Sequence, residues 1–433
     1  MTLEVSARRR RDIVDALRRG AVPANGLDAL AVGLDRFTVA LDEDLDRVAG
    51  GGSVFKAVRG EYGAGKTFFT RWLGERAKRR GFAVAEVQVS ELETPLHRME
   101  TVYRRLVEQL TTEQFAPSAL RPVLDGWIFA LEEDVLAAGT AVEADADGLD
   151  RAVGELLERR LADISRSTPG FAAALRGYRT ANAGGDQVTA GGLAAWLGGQ
   201  PHVAATARRT AGVKGDLDHF GALSFLQGLL TVLRDSGHSG LLLVLDEVET
   251  LQRVRSDARD KALNALRQLV DDIYSGRFPG LFLLITGTPA FFDGQQGVQR
   301  LAPLAQRLAT DFGPEPRWDN PRATQIRLPG FTGAALVQLG TRVREIYGSS
   351  RVTDRVDDDY LGELARAVAG RLGGQVGVAP RVYLKKLVAD VFDRVDQFAD
   401  WNPRDHYELT LRSDELTEVE RNAASADDVD LTL

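Results

Sequence analysis

The chain has 433 residues, of which 44% are hydrophobic and 27% charged, a composition typical of globular proteins with about two to three domains or one large domain with an insertion. It has no cysteine, which excludes disulfides and cysteine-based metal sites, and its 5 scattered histidines disfavour a histidine-built one. The net charge of −8 argues against a dedicated nucleic-acid-coating protein. No apolar run approaches the ~20 residues that span a bilayer, so we expect a cytoplasmic protein without membrane contact.

The first predicted element is an amphipathic helix over residues 6–20. Ser6 is a suitable N-cap, and Ile13, Val14 and Leu17 form an apolar stripe. Arginines cover most of the remaining surface. This basic face either contacts nucleic acid or a partner, or is simply a solvated helix face.

An apolar strand at residues 54–59 leads directly into the glycine-rich stretch GEYGAGKT at residues 60–67, and a helix-forming run follows. This order is the context that a phosphate-binding P-loop, the Walker A motif, requires. The glycines let successive N–H groups turn towards phosphate oxygens, and the positive end of the next helix adds to that field. A lysine then reaches the β- and γ-phosphates of ATP, and a threonine hydroxyl ligates Mg²⁺. The predicted binding residues are Gly60, Glu61, Tyr62, Gly63, Ala64, Gly65, Lys66, Thr67 and Phe68.

Hydrophobic patterning predicts an α/β protein. A strand at 83–89 completes a strand–helix–strand unit, which makes the sheet parallel. Uninterrupted apolar runs at 241–245 and 281–285 are typical of central parallel strands, whose two faces are both covered, and a short strand at 324–328 closes the sheet. We therefore predict a five-stranded parallel sheet with helices on both faces.

The same patterning divides the chain into four predicted regions. Residues 1–48 form an N-terminal helical segment, and residues 49–330 form a P-loop ATPase core. Within that core, residues 95–220 are a large helical insertion without strands. An α-helical lid over residues 331–400 and an acidic tail over residues 401–433 complete the chain.

Two acidic residues follow the apolar run at 241–245 and resemble a Walker B sequence. Asp246 would bind Mg²⁺ through water, and Glu247 would polarise the attacking water as a general base. An acidic strand end is also a common way to keep a protein in solution. The position after a Walker A motif favours the functional interpretation, and the glutamate favours hydrolysis over simple nucleotide holding.

Three further positions have a functional and a plain structural interpretation. Thr286 or Thr288, after the run at 281–285, could contact the attacking water or the γ-phosphate, or could simply end a strand before a proline. Arg307, with Arg300 as its rival, could reach a neighbouring subunit's γ-phosphate or be a surface arginine. Arg381 follows Pro380, which suits a first helical turn. A cation at the start of a helix opposes the helix dipole. Contact with bound phosphate would be one reason for Arg381 to lie there. The alternative is a plain surface arginine.

The order of these motifs resembles that of the AAA+ ATPase superfamily. Val32 and Gly33 resemble its adenine-side motif. By this resemblance Thr286 takes the sensor-1 position, where many members carry asparagine, and Arg307 is the arginine finger. Arg381 resembles the sensor-2 arginine of the lid. The resemblance implies a homo-oligomer.

Several stretches also resemble the P-loop proteins of BREX anti-phage systems, the BrxC/BrxD family, and its shorter BrxD-like members in particular. They are the arginine-rich first helix with VPANG at 22–26, AVGLDR at 31–36, the P-loop, LDEVE at 245–249 and RLPGF at 327–331. The resemblance covers most of residues 9–387. It implies an ATPase subunit of a phage-defence system, acting beside a helicase or methyltransferase.

Two classes of function remain open. One is an ATP-hydrolysing motor or switch that assembles through Arg307 and acts with a DNA-processing partner. The other is a nucleotide-gated adaptor or signalling switch of the STAND type with little turnover, which Glu247 disfavours. A P-loop kinase is a third hypothesis, which needs an acceptor site. The helical insertion could supply one, but nothing in it looks catalytic. Direct DNA contact is open, since arginine clusters at 8–11 and 76–80 could neutralise phosphates but lack interleaved aromatic residues.

Overall fold

The computed structural model describes residues 6–115, 117–142, 145–372, 380–412 and 416. By its contacts the chain forms two compact units. Unit 1 comprises Met1–Leu41, Val58–Glu75 and Thr310–Leu433, and unit 2 comprises Asp42–Ala57 and Arg76–Ala309.

Five strands form one parallel sheet in the order β2-β3-β4-β1-β5. The strands are β1 (Val54–Arg59), β2 (Ala83–Gln88), β3 (Leu241–Asp246), β4 (Leu281–Gly287) and β5 (Gln325–Arg327). Every residue of β3 and β4 is buried, as their unbroken apolar sequences predict. The five-stranded parallel sheet expected from the sequence is thereby confirmed.

Helices fill most of the remaining chain, in agreement with the predicted α/β class. They are α1 (Ala7–Arg18), α2 (Asp35–Ala49), α3 (Lys66–Arg79), α4 (Met99–Glu108), α5 (Leu120–Ala137), α6 (Ala146–Ser167), α7 (Pro169–Ala183), α8 (Gln187–Leu197), α9 (Ala205–Thr210), α10 (His219–Asp235), α11 (Ser256–Tyr274), α12 (Pro289–Asp293), α13 (Ala302–Leu308), α14 (Gly333–Tyr347), α15 (Ser350–Arg355), α16 (Asp358–Arg371), α17 (Pro380–Lys385), α18 (Asp393–Gln397) and α19 (Pro403–His406). Short 3₁₀ helices occur at Leu27–Leu30, Val248–Gln252, Val298–Arg300 and Pro316–Trp318, and one π-helix at Lys386–Phe392.

Unit 2 has its own hydrophobic core, which joins strands β2, β3 and β4 to helices α4 to α8, α10 and α11. The stripe predicted on α11 is buried, including Leu263, Leu266 and Val270. Among the described residues of the helical stretch between β2 and β3, the only β pairing is an isolated bridge between Val84 and Thr111. That stretch is therefore helical, as its sequence predicts.

Unit 1 has a separate core, built from α1 and the helices from α14 to α18. Ser6 caps α1 by accepting the N–H of Arg9, and Ile13, Val14 and Leu17 are buried on its apolar stripe. Pro380 begins α17. Residues 373–379 and the acidic residues of the tail at 414, 415 and 418–430 lie outside the described part of the chain. Within that part, no helix combines the length and apolar character needed to cross a membrane.

Candidate functional site

The glycine-rich loop of unit 1 has the backbone that phosphate binding needs. Gly63 and Gly65 have φ angles of 79° and 88°, a region that residues with a Cβ seldom adopt. Lys66 is buried, and its Nζ donates to the carbonyl oxygens of Gly60 at 2.9 Å and Glu61 at 3.4 Å. The same Nζ lies 5.1 Å from the ring centre of Tyr62. The loop therefore already surrounds an ammonium group, and the residues present fit a bound triphosphate.

The stretch RLPGF at 327–331 lines this loop. A Cβ added to Gly60 would lie 3.3 Å from the Cβ of Leu328, and one added to Gly65 would lie 3.6 Å from the ring of Phe331. The N–H of Leu328 also donates to the carbonyl of Arg59 at 2.8 Å, just before the loop. Phe331 is thus a neighbour of the phosphate loop, although the sequence pointed to it only through family resemblance.

The predicted adenine-side residues follow a segment that is anchored to the P-loop helix α3. The carboxylate of Glu75 accepts the N–H groups of Gly26 at 2.9 Å and Leu27 at 2.8 Å. Gly33 has a φ of 75° and is exposed, and Val32 packs against the core of unit 1. Both residues keep the adenine-side role as a prediction.

In unit 2, three residues at the ends of β3 and β4 form a hydrogen-bonded group, in which Asp246 and Thr286 are buried and Glu247 is half-buried. Thr286 is fully buried and donates its hydroxyl hydrogen bond to the Asp246 carboxylate. The N–H of Glu247 donates to Asp246 Oδ1 and to Thr286 Oγ1, both at 3.1 Å. Gln88 Nε2, at the end of β2, donates to Glu247 Oε2 at 2.7 Å. The backbone and the carboxylate of Glu247 are therefore both held by neighbouring strands.

The backbone of Glu247 is left-handed, with φ 58° and ψ 44°. Because a residue with a Cβ is strained there, the conformation persists only where surrounding contacts hold it. Besides the bonds to its N–H, its carbonyl accepts the N–H of Thr250 at 3.1 Å. We call residues 246–254, which contain the 3₁₀ helix Val248–Gln252, the β3 turn. Strain of this kind is common at functional sites and singles Glu247 out.

The two threonine candidates have different surroundings. Thr286 contacts Asp246 and Glu247 directly, as described above. Thr288 is buried too, but it precedes α12, where its carbonyl accepts the N–H of Phe291 at 3.0 Å. The contacts favour Thr286 as the sensor position, and that role stays a prediction.

Both finger candidates of unit 2 are bound to carboxylates of α11. Arg307 pairs with Asp271, and its Nη1 also donates to the carbonyl of Pro303 at 2.6 Å. Arg300 pairs with Asp260 and lowers the pKa of that carboxyl by hydrogen bonding. For either arginine to contact a neighbouring subunit, it would first have to break the ion pair with its carboxylate on α11.

Arg381 lies in unit 1 beside the end of α1. Its Nη1 is 3.4 Å from the position that a Cβ on Gly20 would occupy. The proposed sensor-2 role of Arg381 remains a prediction.

Two residues that the sequence did not point to contact Glu247 or the β3 turn. Gln88 is a polar residue at the end of β2, the strand beside β3, and that position was the available signal. Arg259 is buried on the apolar stripe of α11, and its carbonyl acceptors lie in the β3 turn. Arg259 lies three residues before Ala262 and four before Leu263, so helical spacing places it on their apolar face. That position was the available signal.

Comparison with known proteins yields one family. The family model for the BREX system ATP-binding protein BrxC/D matches residues 5–411. No curated protein and no solved structure matched the chain. Because the family match spans nearly the whole sequence, including the P-loop and the β3 turn, this chain belongs to the BREX system ATP-binding protein BrxC/D family.

Proposed function

We propose that this chain hydrolyses ATP as the ATPase subunit of a BREX-type anti-phage system. Membership of an ATP-binding family supports the nucleotide. The proposal of hydrolysis rests on the position of Glu247. Its strained backbone donates its N–H to Asp246 and Thr286 at the ends of two buried strands. A protein that only holds nucleotide does not need a glutamate fixed at the predicted Walker B position.

Each predicted residue then has one task. Lys66 balances the charge of the β- and γ-phosphates, and the N–H groups of the P-loop orient them. Thr67 would hold Mg²⁺ directly and Asp246 through water, since both offer the oxygen ligands that Mg²⁺ prefers. ATP supplies the phosphoryl group that is transferred. Glu247 accepts the proton of the attacking water, and Thr286 orients the acidic pair.

The finer assignments extend the proposal to assembly. We infer an AAA+ arrangement in which residues 331–400 form the lid and Arg381 contacts phosphate. Arg307 then serves a neighbouring copy as the finger after leaving Asp271. By resemblance, a helicase or methyltransferase of the same defence system is the partner. Direct contact with DNA stays open.

The test compares ATP turnover by the purified protein with that of Lys66→Ala and Glu247→Gln, each with and without duplex DNA. Fluorescent ADP titration separates binding from turnover. We expect Lys66→Ala to lose binding and turnover, and Glu247→Gln to retain binding while its turnover falls by roughly 100-fold. Glu133→Gln, the same change at an exposed position of α5, is the matched control.

Stimulation by DNA would support a DNA-directed motor. Wild-type protein that binds nucleotide but does not turn it over, with or without DNA, would contradict the hydrolysis proposal. That result would favour the nucleotide-gated adaptor.

A further inference from the structure

Arg259 is a buried arginine whose guanidinium donates mainly to one segment of backbone. Only 9% of the residue is exposed. Its Nε donates to the carbonyl of Leu251 at 3.1 Å, and its Nη2 donates to those of Gln252 at 2.7 Å and Val254 at 2.9 Å. Its Nη1 donates to the side chain of Gln296. Three of these four acceptors are main-chain oxygens of the β3 turn.

Two of those carbonyls, of Leu251 and Gln252, belong to the last residues of the 3₁₀ helix, and the third, of Val254, follows two residues after its end. The 3₁₀ helix Val248–Gln252 has only five residues, and the last carbonyls of any helix have no N–H ahead of them to accept. The planar, rigid fork of a guanidinium can satisfy several at once, which the point-like ammonium of a lysine cannot do with the same geometry. Arg259 therefore donates to the carbonyls that the C-terminal end of this helix leaves free.

The other end of the same 3₁₀ helix is Glu247. Glu247 is the left-handed N-cap of that helix, and the Glu247 carbonyl accepts the N–H of Thr250 inside the turn. The turn is also tied to the residue just after β2, because the Thr250 hydroxyl donates to the carbonyl of Val89 at 3.2 Å. With one end fixed by Thr286 and the other by Arg259, Glu247 has no freedom to relax to an ordinary backbone conformation.

Burying a guanidinium is costly unless its N–H groups are hydrogen-bonded, and main-chain oxygens supply most of those bonds to Arg259. Among the described residues no carboxylate lies within ion-pair distance of Arg259. We propose that Arg259 is a positioning residue for hydrolysis, which holds the β3 turn so that Glu247 keeps its strained backbone. This inference rests on the proposed ATP hydrolysis and goes beyond it by assigning a residue outside the predicted motifs.

The test is Arg259→Lys in the full-length protein, with Arg255→Lys as the matched control. Arg255 precedes the same helix and is exposed. We expect Arg259→Lys to lower kcat by roughly 10- to 100-fold, with the fluorescent ADP dissociation constant within about twofold of wild type. In a Glu247→Gln background, Arg259→Lys should lower the residual turnover no further, because Arg259 acts through the Glu247 carboxylate, which that background lacks.

A merely structural role for Arg259 predicts something else. Loss of kcat in Arg259→Lys would then add fully to the loss in Glu247→Gln, and that additivity would overturn the proposal. Equal turnover in Arg259→Lys and Arg255→Lys would overturn it as well.

Hydrogen exchange gives a measurement that does not depend on turnover. Amides of residues 248–254 should exchange at least about tenfold faster in Arg259→Lys, while those of α10 keep their wild-type rates. Unchanged exchange in the turn would refute the positioning role. If wild-type protein lacks turnover while this exchange result holds, then the hydrolysis proposal fails and the constraint on Glu247 stands.

Discussion

In the P-loop, Gly63 and Gly65 have φ angles of 79° and 88°, whereas in the β3 turn a glutamate, Glu247, has a φ of 58°. Glycine adopts such angles at no steric cost, so the P-loop conformation comes from residues inside the loop. Glu247 is held instead by hydrogen bonds from other elements, including the hydroxyl of Thr286. A local sequence can therefore specify the first conformation, and only tertiary contacts can specify the second.

The largest expected effect tests the conformation of Glu247, which depends on tertiary contacts. Thr286→Val removes the buried hydroxyl that accepts the Glu247 N–H and donates to Asp246. Leaving buried polar partners unsatisfied costs ~1–3 kcal/mol, so we expect kcat to fall by roughly 10- to 100-fold with ADP affinity unchanged. Steady-state turnover and fluorescent ADP titration measure the two. Thr288→Val is the control, and an equal loss there would contradict the assignment of Thr286.

The next effect tests the local side. Gly65→Ala places a Cβ at a φ of 88°, where it meets the Phe331 ring at an unstrained 3.6 Å, so backbone strain is the main cost. That strain of ~1–2 kcal/mol should weaken ATP binding by roughly 5- to 30-fold. Gly212→Ala, at a φ of 68° in open space, is the matched control. It should lower the free energy of unfolding while nucleotide affinity stays at the wild-type value.

A smaller effect concerns the carboxylate of Glu247. Gln88→Ala removes the hydrogen bond from Nε2 to Glu247 Oε2, which holds the carboxylate in its present orientation, so the side chain can turn more readily towards the attacking water. We expect kcat to rise by about two- to fivefold, since an exposed hydrogen bond contributes ~0.5–1 kcal/mol. The exposed Gln109→Ala variant serves as control. A fall in kcat would mean that Gln88 orients Glu247 for the reaction.

The smallest effect measures the strain itself. Glu247→Gly should unfold with a free energy ~1 kcal/mol higher than that of Glu247→Ala, because only alanine keeps a Cβ at a positive φ. Urea unfolding followed by circular dichroism gives this difference. His202 has a φ of 60° and is exposed, so the pair His202→Gly and His202→Ala should differ by a similar amount without any change in turnover. Equal stability of the two Glu247 variants would contradict the strain.

Much of the fold was predictable because its signals are local. The runs at 241–245 and 281–285 are apolar throughout, and a strand buried on both faces needs just that. The capping of α1 by Ser6 follows from a side chain and an N–H only three residues apart. The division into two compact units was not visible, because unit 1 gathers three separate stretches of the chain.

The candidate site was predictable only in part. The P-loop residues are adjacent in sequence, so their motif is complete within a few residues. The partners of Glu247 are Gln88 and Thr286, which are 159 and 39 residues away in the chain. No local pattern relates residues at such separations, and strand order decides which polar ends become neighbours.

The sequence by itself determined the strands, the phosphate loop and membership of the BrxC/D family, since each depends on residue types at short spacing. The tertiary structure alone decided that Thr286 rather than Thr288 contacts Asp246, and that the buried Arg259 closes the β3 turn. The physical reason is that hydrogen bonds act over about 3 Å in space whatever the separation in sequence. A strained glutamate is therefore specified by the folded sheet and its neighbouring helix rather than by the residues beside it.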